Sequence, residues 1–462
     1  MPLSPVNPRR RRALAALLAS PLALAAAQRA RAASGALDIN RDIERAPRFA
    51  LLLGNERYPT PFDLPPVPKN VRDLKEALEA RGFKVTTAID QDTAPLKKAV
   101  ADFNTFLGGQ SRDAIVLVYF TGHGLQEESE NLLVAADVNP SGGSSVVRSG
   151  SLKLSSDVIG VLPKRPDGLS IAIIDACRTS LKAVQSSADG LNQVEPDAGW
   201  LISYSTGAGR PAIAPAVPDK RTFYTDSLIK QLGSVTEETS FSELFQLVKR
   251  DVNRTMLNHP VKAIQAVAQN PFTAENLHVR VRVTPPVLEA SAVPMQRAGA
   301  EDEAALWKRI DESLWPAEIV KLADDYLYRF PTSPLAARAQ VARDGADDAV
   351  QALKRREVRL YRSAFAAPAD AALAADMHKA ARGDKDAAAR IAASQSAAAG
   401  GSDNSRYEGW MQYAAELGNG IASYKLARHY LRQDQPQLAS RYEARARELG
   451  YTPPPTLDNV RK

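Results

Sequence analysis

The sequence has very little cysteine and histidine. Cys177 is the only cysteine among 462 residues, and five residues are histidine. A single cysteine cannot form an internal disulfide, and the histidines at 259, 278, 378 and 429 have no partners at the spacing of zinc ligands. We interpret those four histidines as surface or helix-packing residues, and we expect the protein to need no metal or cofactor.

Two further absences exclude other classes of protein. The chain has neither a G-x-G-x-x-G motif nor a P-loop, which argues against a dinucleotide-binding or nucleotide-hydrolysing site. Outside the N-terminal region no apolar run is long enough to span a membrane, so we expect no membrane span after residue 32. The length of the chain predicts two or three domains.

Residues 1–32 are typical of an export signal. Four arginines at positions 9–12 precede an Ala/Leu stretch at 13–27, and A-R-A at 30–32 matches a cleavage pattern. The weakly hydrophobic, Ala-rich stretch resembles that of a twin-arginine signal, and the alternative is an ordinary secretory signal rich in arginine. We therefore expect an exported protein, periplasmic or extracellular.

The excess of positive charge lies in that signal. The formal net charge is +6, and residues 1–32 contain six arginines with no lysine, aspartate or glutamate. Without this segment the net charge is zero, so the basic isoelectric point gives no support to a nucleic-acid partner.

Two apolar runs end in chemically reactive residues. A-I-V-L-V-Y-F is followed by T-G-H-G, which contains His123, and S-I-A-I-I-D-A is followed by Cys177. Runs of this kind predict strands buried on both faces of a parallel sheet, and ligands bind beyond the carboxyl ends of such strands. The expected fold class is therefore α/β, with a mostly parallel sheet covered by helices on both faces.

A thiol next to an imidazole suggests nucleophilic catalysis. Cys177 would attack as a thiolate, His123 would hold or share the thiol proton, and the backbone amides of Gly124 and Cys177 would stabilise an oxyanion. The alternative for Cys177 is a small buried apolar residue, which is how most free cysteines behave.

Local signals predict several elements around these strands. Gly82 fits the position after a helix C-terminus, and Ser240 with Glu243 has the spacing of a capping box. Alternation of apolar and polar residues over 277–283 predicts an edge strand that closes the sheet. The polar stretch 179–198 is expected to form a surface loop.

The C-terminal part is rich in alanine and has helical patterning with an internal repeat. Gly383 and Gly418 are 35 residues apart in aligned segments, and Glu448-Leu449-Gly450 echoes a third copy. The run A-E-L-G-N-G-I-A-S-Y-K-L-A-R-H-Y resembles a Sel1-like repeat. We predict an export signal at 1–32, a lead-in at 33–47, a catalytic domain at 48–283, a linker at 284–300, helices at 301–366, repeats at 367–452 and a tail at 453–462.

The first domain resembles the caspase/metacaspase-like cysteine peptidases. R-F-A-L-L-L-G-N-E-R-Y, V-Y-F-T-G-H-G, N-L-L-V-A-A-D, I-I-D-A-C-R-T, G-W-L-I-S-Y-S-T-G-A-G and R-T-F-Y-T-D-S-L stand in the order of that family, over residues 48–280. The resemblance implies a caspase-like fold, a catalytic dyad of His123 and Cys177, and an oxyanion hole formed by the backbone of Gly124 and Cys177.

The resemblance also places Asp175 in the S1 pocket. A carboxylate there favours a basic P1 residue, because a desolvated carboxylate pairs well with guanidinium or ammonium; the alternative for Asp175 is a residue that caps a turn at the strand end. Metacaspases often add a second acid at the start of the first helix, where this chain has Asn70 in Lys69-Asn70-Val71. This departure puts strict Arg/Lys specificity in doubt.

Some metacaspases need calcium, but Glu127, Glu128 and Glu130 do not match a calcium-binding loop, and a solvated acidic face is the simpler interpretation. The resulting hypothesis is an exported cysteine endopeptidase that cleaves a peptide or protein substrate after Arg or Lys, with helical repeats that recruit substrate or a protein partner. The alternative is a catalytically weak caspase homologue that acts as a scaffold through its repeats.

Overall fold

The computed structural model describes residues 43, 45–127, 130–166, 168–177, 194–207, 212–285, 300–398 and 405–451. The predicted export signal, Glu128 and most of the 179–198 loop lie outside these residues. Within the described residues no helix is both long and apolar enough to cross a membrane. Two separate hydrophobic cores form, one from residues 43–283 and one from residues 306–442.

The first core is built around a mixed sheet with strand order β2-β1-β3-β6-β7-β8. All neighbours along this path are parallel except β7 and β8, and β4 and β5 extend the end of β3 as an antiparallel ribbon. The predicted α/β class with a mostly parallel sheet is therefore confirmed. The strands are β1 Arg48–Gly54, β2 Phe83–Ile89, β3 Ile115–Glu127, β4 Glu130–Val134, β5 Ser151–Lys153, β6 Leu169–Cys177, β7 Trp200–Tyr204 and β8 Phe272–Asn276.

Helices connect these strands, and local sequence signals fix several of their ends. Gly82 has a φ of +80° after the first helix, as its position predicts, and Ser240 and Glu243 form a capping box at the start of another. A single π-helical turn covers Leu154–Ile159. The helices of this part are α1 Val67–Glu79, α2 Thr93–Gly108, α3 Ser144–Ser149, α4 Phe223–Ser234, α5 Phe241–Leu257 and α6 Lys262–Ala266.

The predicted edge strand over 277–283 is wrong in its position. The edge strand on the β7 side of the sheet is instead β8, which ends at Asn276 and pairs with β7. The alternating segment pairs instead with the start of α5. The backbone N–H of Phe241 donates to the carbonyl of Val281, and the backbone N–H of Val283 donates to the carbonyl of Thr239. Val281 and Val283 are both buried. Alternation marks an extended segment with one buried face, but it does not identify the partner that covers this face.

The second core belongs to a helical domain, as the alanine-rich composition predicts. Gly383, Gly418 and Gly450 each follow a helix with a positive φ, of +79°, +99° and +73°. In each case the next residue donates to a carbonyl five residues back, which is the same cap in three copies. The helices are α7 Ala300–Glu312, α8 Pro316–Arg329, α9 Ala336–Leu353, α10 Ala371–Ala380, α11 Lys385–Ala398, α12 Ser405–Glu416, α13 Gly420–Arg432 and α14 Pro436–Glu448.

The helical domain covers the outer edge of β8. The backbone groups of Thr273 and Glu275 face away from β7, because the even-numbered residues bond to it, as in Gly199 N to Asn276 O. Lys385 Nζ donates to Thr273 O at 2.5 Å, and Arg390 Nη1 donates to Glu275 O at 3.1 Å. Side chains of α11 thus bond the edge of the sheet where a further strand would otherwise pair.

A second group of contacts strengthens this junction. Lys379 Nζ donates to Leu277 O at 3.1 Å and pairs with the carboxylate of Glu275 at 3.2 Å. The Nζ of Lys385 also lies 4.1 Å from the ring centroid of Phe272, which is a cation–π contact. The contacts of the helical domain with β8 and Leu277 are therefore mainly polar.

Candidate active site

His123 and Cys177 are direct neighbours in the sheet. The parallel register of β3 and β6 pairs Thr121 with Asp175, Gly122 with Ala176 and His123 with Cys177. Neighbouring strands are about 4.8 Å apart, and partners in register lie on the same face of a sheet. The backbone therefore brings together the two residues of the predicted dyad. The thiol of Cys177 lies outside the described part of the chain.

β3 continues beyond the expected strand end, and this positions His123. The strand runs to Glu127, and its last four residues pair with β4 in antiparallel fashion, with Gly124 opposite Leu133. His123 thus lies where the strand leaves the parallel sheet and enters this ribbon. Only 2% of its surface is exposed.

The imidazole of His123 is oriented by a backbone carbonyl. Its Nε2 lies 2.7 Å from the carbonyl oxygen of Phe62, in the loop after β1. A carbonyl oxygen can only accept, so Nε2 carries the proton of the neutral ring and Nδ1 carries the lone pair. This is the arrangement by which a third group fixes the tautomer of a catalytic histidine.

Asp175, two residues before Cys177 on β6, is buried in a cluster of hydroxyl groups. Its Oδ2 accepts hydrogen bonds from the side chains of Thr222 and Thr225, the latter at 2.6 Å. Tyr119 Oη lies 2.7 Å from Thr225 Oγ1 and 3.5 Å from the carboxylate. Only 1% of Asp175 is exposed.

Burial raises the pKa of Asp175, and hydrogen bonds from Thr222, Thr225, Ser205 and Tyr119 partly oppose this shift. Among the described residues no lysine or arginine forms an ion pair with this carboxylate. The charged form of a buried carboxylate is poorly stabilised when its partners are neutral donors. A cation that enters the site from outside would therefore stabilise this charged form strongly.

Asn70, the residue at the position of the expected second acid, is part of the same cluster. Its Nδ2 donates to Thr222 Oγ1 at 3.2 Å and to Thr121 Oγ1 at 3.3 Å, and its Oδ1 accepts from Thr222 N at 3.1 Å. Asn70 is fully buried. Its amide therefore holds the start of α4, where Thr222 is the N-cap, and supplies no charge to the cluster.

The sequence motifs do not identify the Phe62 carbonyl as a partner of His123. Thr222 and Thr225 lie in the run R-T-F-Y-T-D-S-L, but the run alone does not show that their hydroxyls bond Asp175. A further local signal is that Thr222 precedes a helix, since threonine is a favoured N-cap residue. Within the described ranges no group of three His, Cys, Asp or Glu residues lies close enough to hold a metal ion. Glu128 and the side chain of Glu127 lie outside these ranges.

The comparison with known families agrees with this geometry. No curated protein matches the chain. The model of the caspase domain family matches residues 47–280, which is about half of the chain and contains the whole sheet and the cluster around His123 and Asp175. The family consists of cysteine peptidases. By this match the chain belongs to the caspase domain family.

Proposed function

We propose that the protein is a cysteine endopeptidase whose catalytic dyad is His123 and Cys177. The observation that supports the proposal most directly is the register of β3 and β6, which pairs these two residues at the carboxyl-terminal end of the parallel ladder. The hydrogen bond from His123 Nε2 to the Phe62 carbonyl supports it, because the bond fixes the tautomer whose Nδ1 accepts a proton.

In the proposed reaction Sγ of Cys177 forms a bond to the carbonyl carbon of the scissile peptide, and its proton passes to His123. The imidazolium then gives this proton to the leaving amine as the C–N bond breaks. Water hydrolyses the resulting thioester and returns the thiol. The backbone amides of Gly124 and Cys177 donate to the oxyanion of each tetrahedral intermediate.

We further propose that Asp175 selects a basic P1 residue. A P1 arginine or lysine would bring a positive charge to a buried carboxylate whose donors, among the described residues, are hydroxyl groups. Asn70 adds no second charge, since its amide is bonded to Thr121 and Thr222. The preference for arginine or lysine therefore depends on one carboxylate.

The remaining parts of the proposal concern export and the helical repeats. Residues 1–32 direct the chain out of the cytoplasm, by the twin-arginine route. The repeats are Sel1-like and recruit substrate or a partner. Such a partner binds a face other than the segment 379–390, because side chains of that segment contact β8.

The test is hydrolysis of a peptide library with Arg, Lys or Asp at P1 by the protein without residues 1–32. Cys177→Ala and His123→Ala should each abolish turnover, whereas His278→Ala, an exposed histidine on the same domain, should retain it. Because the chain has one cysteine, a thiol-specific reagent that stops turnover acts at Cys177. If the wild-type protein shows no thiol-dependent turnover, the protein is instead a scaffold that works through its repeats.

A further inference from the structure

The loop between β1 and α1 contacts His123 from two sides. The same loop that provides the Phe62 carbonyl also carries Tyr58, four residues earlier. The backbone N–H of His123 donates to Tyr58 Oη at 3.0 Å. The ring centroids of Tyr58 and His123 are 4.5 Å apart with an interplanar angle of 68°, an edge-on contact.

Tyr58 also connects His123 to the neighbouring strand. Its hydroxyl donates to Val134 O, the last residue of β4, at 3.1 Å. One hydroxyl thus accepts from β3 and donates to β4. Asn55 Nδ2 donates to the same Val134 carbonyl at 3.0 Å, so β4 is fixed to this loop by two side chains.

The fit around Tyr58 is tight on the side of β3. A Cβ atom at Gly122 would lie 2.7 Å from Tyr58 Oη and 2.8 Å from Cζ of Phe120. Glycine is therefore required before His123 to admit the tyrosine hydroxyl. The loop itself is braced, because Tyr58 N donates to Asp63 Oδ1 at 3.0 Å and Phe62 N donates to Pro59 O at 3.3 Å.

We propose that Tyr58 is a positioning residue for catalysis, which holds the backbone and ring of His123 in place while the Phe62 carbonyl sets its tautomer. The proposal rests on the cysteine peptidase function proposed above. In this role Tyr58 acts through His123. Tight support of this kind matters because a displacement of about 1 Å at a catalytic group costs on the order of 100-fold in rate.

The decisive variant is Tyr58→Phe, which keeps the ring against the imidazole and removes only the hydroxyl. We expect kcat to fall about 10- to 100-fold with KM unchanged, because ground-state binding does not involve this group. Tyr361→Phe is the matched control, since this tyrosine is 73% exposed, and should keep the wild-type kcat. A thermal melt of each variant checks that the fold is intact.

A second readout does not depend on turnover. In the wild-type protein the Nε2 proton of His123 is protected from exchange by the hydrogen bond to Phe62 O and should give a downfield resonance in the proton NMR spectrum. The loss of this resonance in His123→Ala assigns it. In Tyr58→Phe this resonance should broaden or shift, as the ring is held less firmly.

Each outcome decides one claim. A wild-type kcat and an unchanged resonance in Tyr58→Phe would overturn the positioning role. A lower kcat with an unchanged resonance would also overturn it, because the loss would then not pass through His123. If the wild-type protein hydrolyses no peptide, the peptidase function fails, and the resonance alone decides whether Tyr58 positions His123.

Discussion

Glu243 accepts a hydrogen bond from Arg338 Nε at 2.9 Å, across the junction of the two domains. The same carboxylate accepts from Ser240 N in the capping box of α5 and from Arg280 at 3.1 Å. The two arginines, together with the capping-box bond, lower the pKa of Glu243 despite its burial. One side chain therefore caps a helix and connects the helical domain to the caspase domain.

Replacement of this residue should loosen the junction. Glu243→Gln keeps most of the cap geometry but leaves Arg280 and Arg338 without their anion, and we expect a loss of about 1.5–3 kcal/mol in the free energy of unfolding at pH 7. Urea titration measures this change in the free energy of unfolding. Glu237→Gln, an exposed residue nearby, is the control and should be close to wild type.

The pH dependence of the same contact has a definite sign. Since the folded pKa of Glu243 is lowered, its stabilisation is complete above the unfolded value of about 4.3 and is lost as the pH falls through the folded value. The stability difference between wild type and Glu243→Gln should therefore shrink only in acid. A constant difference down to pH 2 would contradict this assignment.

Asp175→Asn should weaken selection of basic P1 residues. The loss of one charge-assisted contact predicts a fall of about 10- to 100-fold in kcat/KM for Arg and Lys substrates, with less change for uncharged P1 residues. Asp226→Asn, at a side chain that is 55% exposed, is the control. Unchanged selectivity would remove Asp175 from the S1 pocket.

Selectivity for basic P1 residues should also depend on pH. Because burial raises the pKa of Asp175, its carboxyl is neutral over a wider acid range than an exposed aspartate. The preference for Arg over an uncharged P1 residue should therefore appear as the pH rises through the raised pKa and disappear below it. The ratio of kcat/KM values across pH measures this directly.

Because side chains of the helical domain bond the outer edge of β8, their removal should change the hydrogen exchange of this strand. The double variant Lys385→Ala and Arg390→Ala removes two donors to the outer carbonyls of β8. We expect amide exchange in residues 272–277 to become about 10-fold faster, which corresponds to roughly 1.4 kcal/mol of local protection. Lys425→Ala, whose exposed ion pair with Glu195 is 3.7 Å long, should change exchange in this strand very little.

Gly122→Ala should damage the site even though the change is small. The added Cβ would collide with Tyr58 and Phe120, and overpacking of this kind costs about 1–3 kcal/mol. Peptide turnover should fall with it, because Tyr58 contacts His123. Gly108→Ala, with no heavy atom within 4 Å of the new Cβ, is the control and should not lose stability. A fully active Gly122→Ala protein would show that the Tyr58 contact is dispensable.

Local sequence predicts a large part of this molecule. The buried strands β3 and β6 follow from unbroken apolar runs, and the capping box at Ser240 and Glu243 follows from residue type and spacing. The glycines at 383, 418 and 450 have the positive φ expected of a repeated helix terminus. In each case a few neighbouring residues determine the conformation.

The environment of the reactive residues depends on contacts between distant parts of the chain. The Phe62 carbonyl is 61 residues from His123, and the Thr222 hydroxyl is 47 residues from Asp175. Carbonyl and hydroxyl groups occur throughout any sequence. Even where a motif contains one, as R-T-F-Y-T-D-S-L contains Thr222, the motif does not show which distant group the fold brings against it. The misplaced edge strand has the same origin, because alternation over 277–283 reflects a buried face without naming what covers it.

The sequence by itself determined the two strands that carry His123 and Cys177, the residues proposed for catalysis, because a strand is specified by its own side chains. Only the tertiary structure decided how His123 is held, that Asp175 is buried among hydroxyls, and that the helical domain covers the edge at β8. These features depend on pairs of groups far apart in the chain, and their free energy exists only once the fold has brought them into contact.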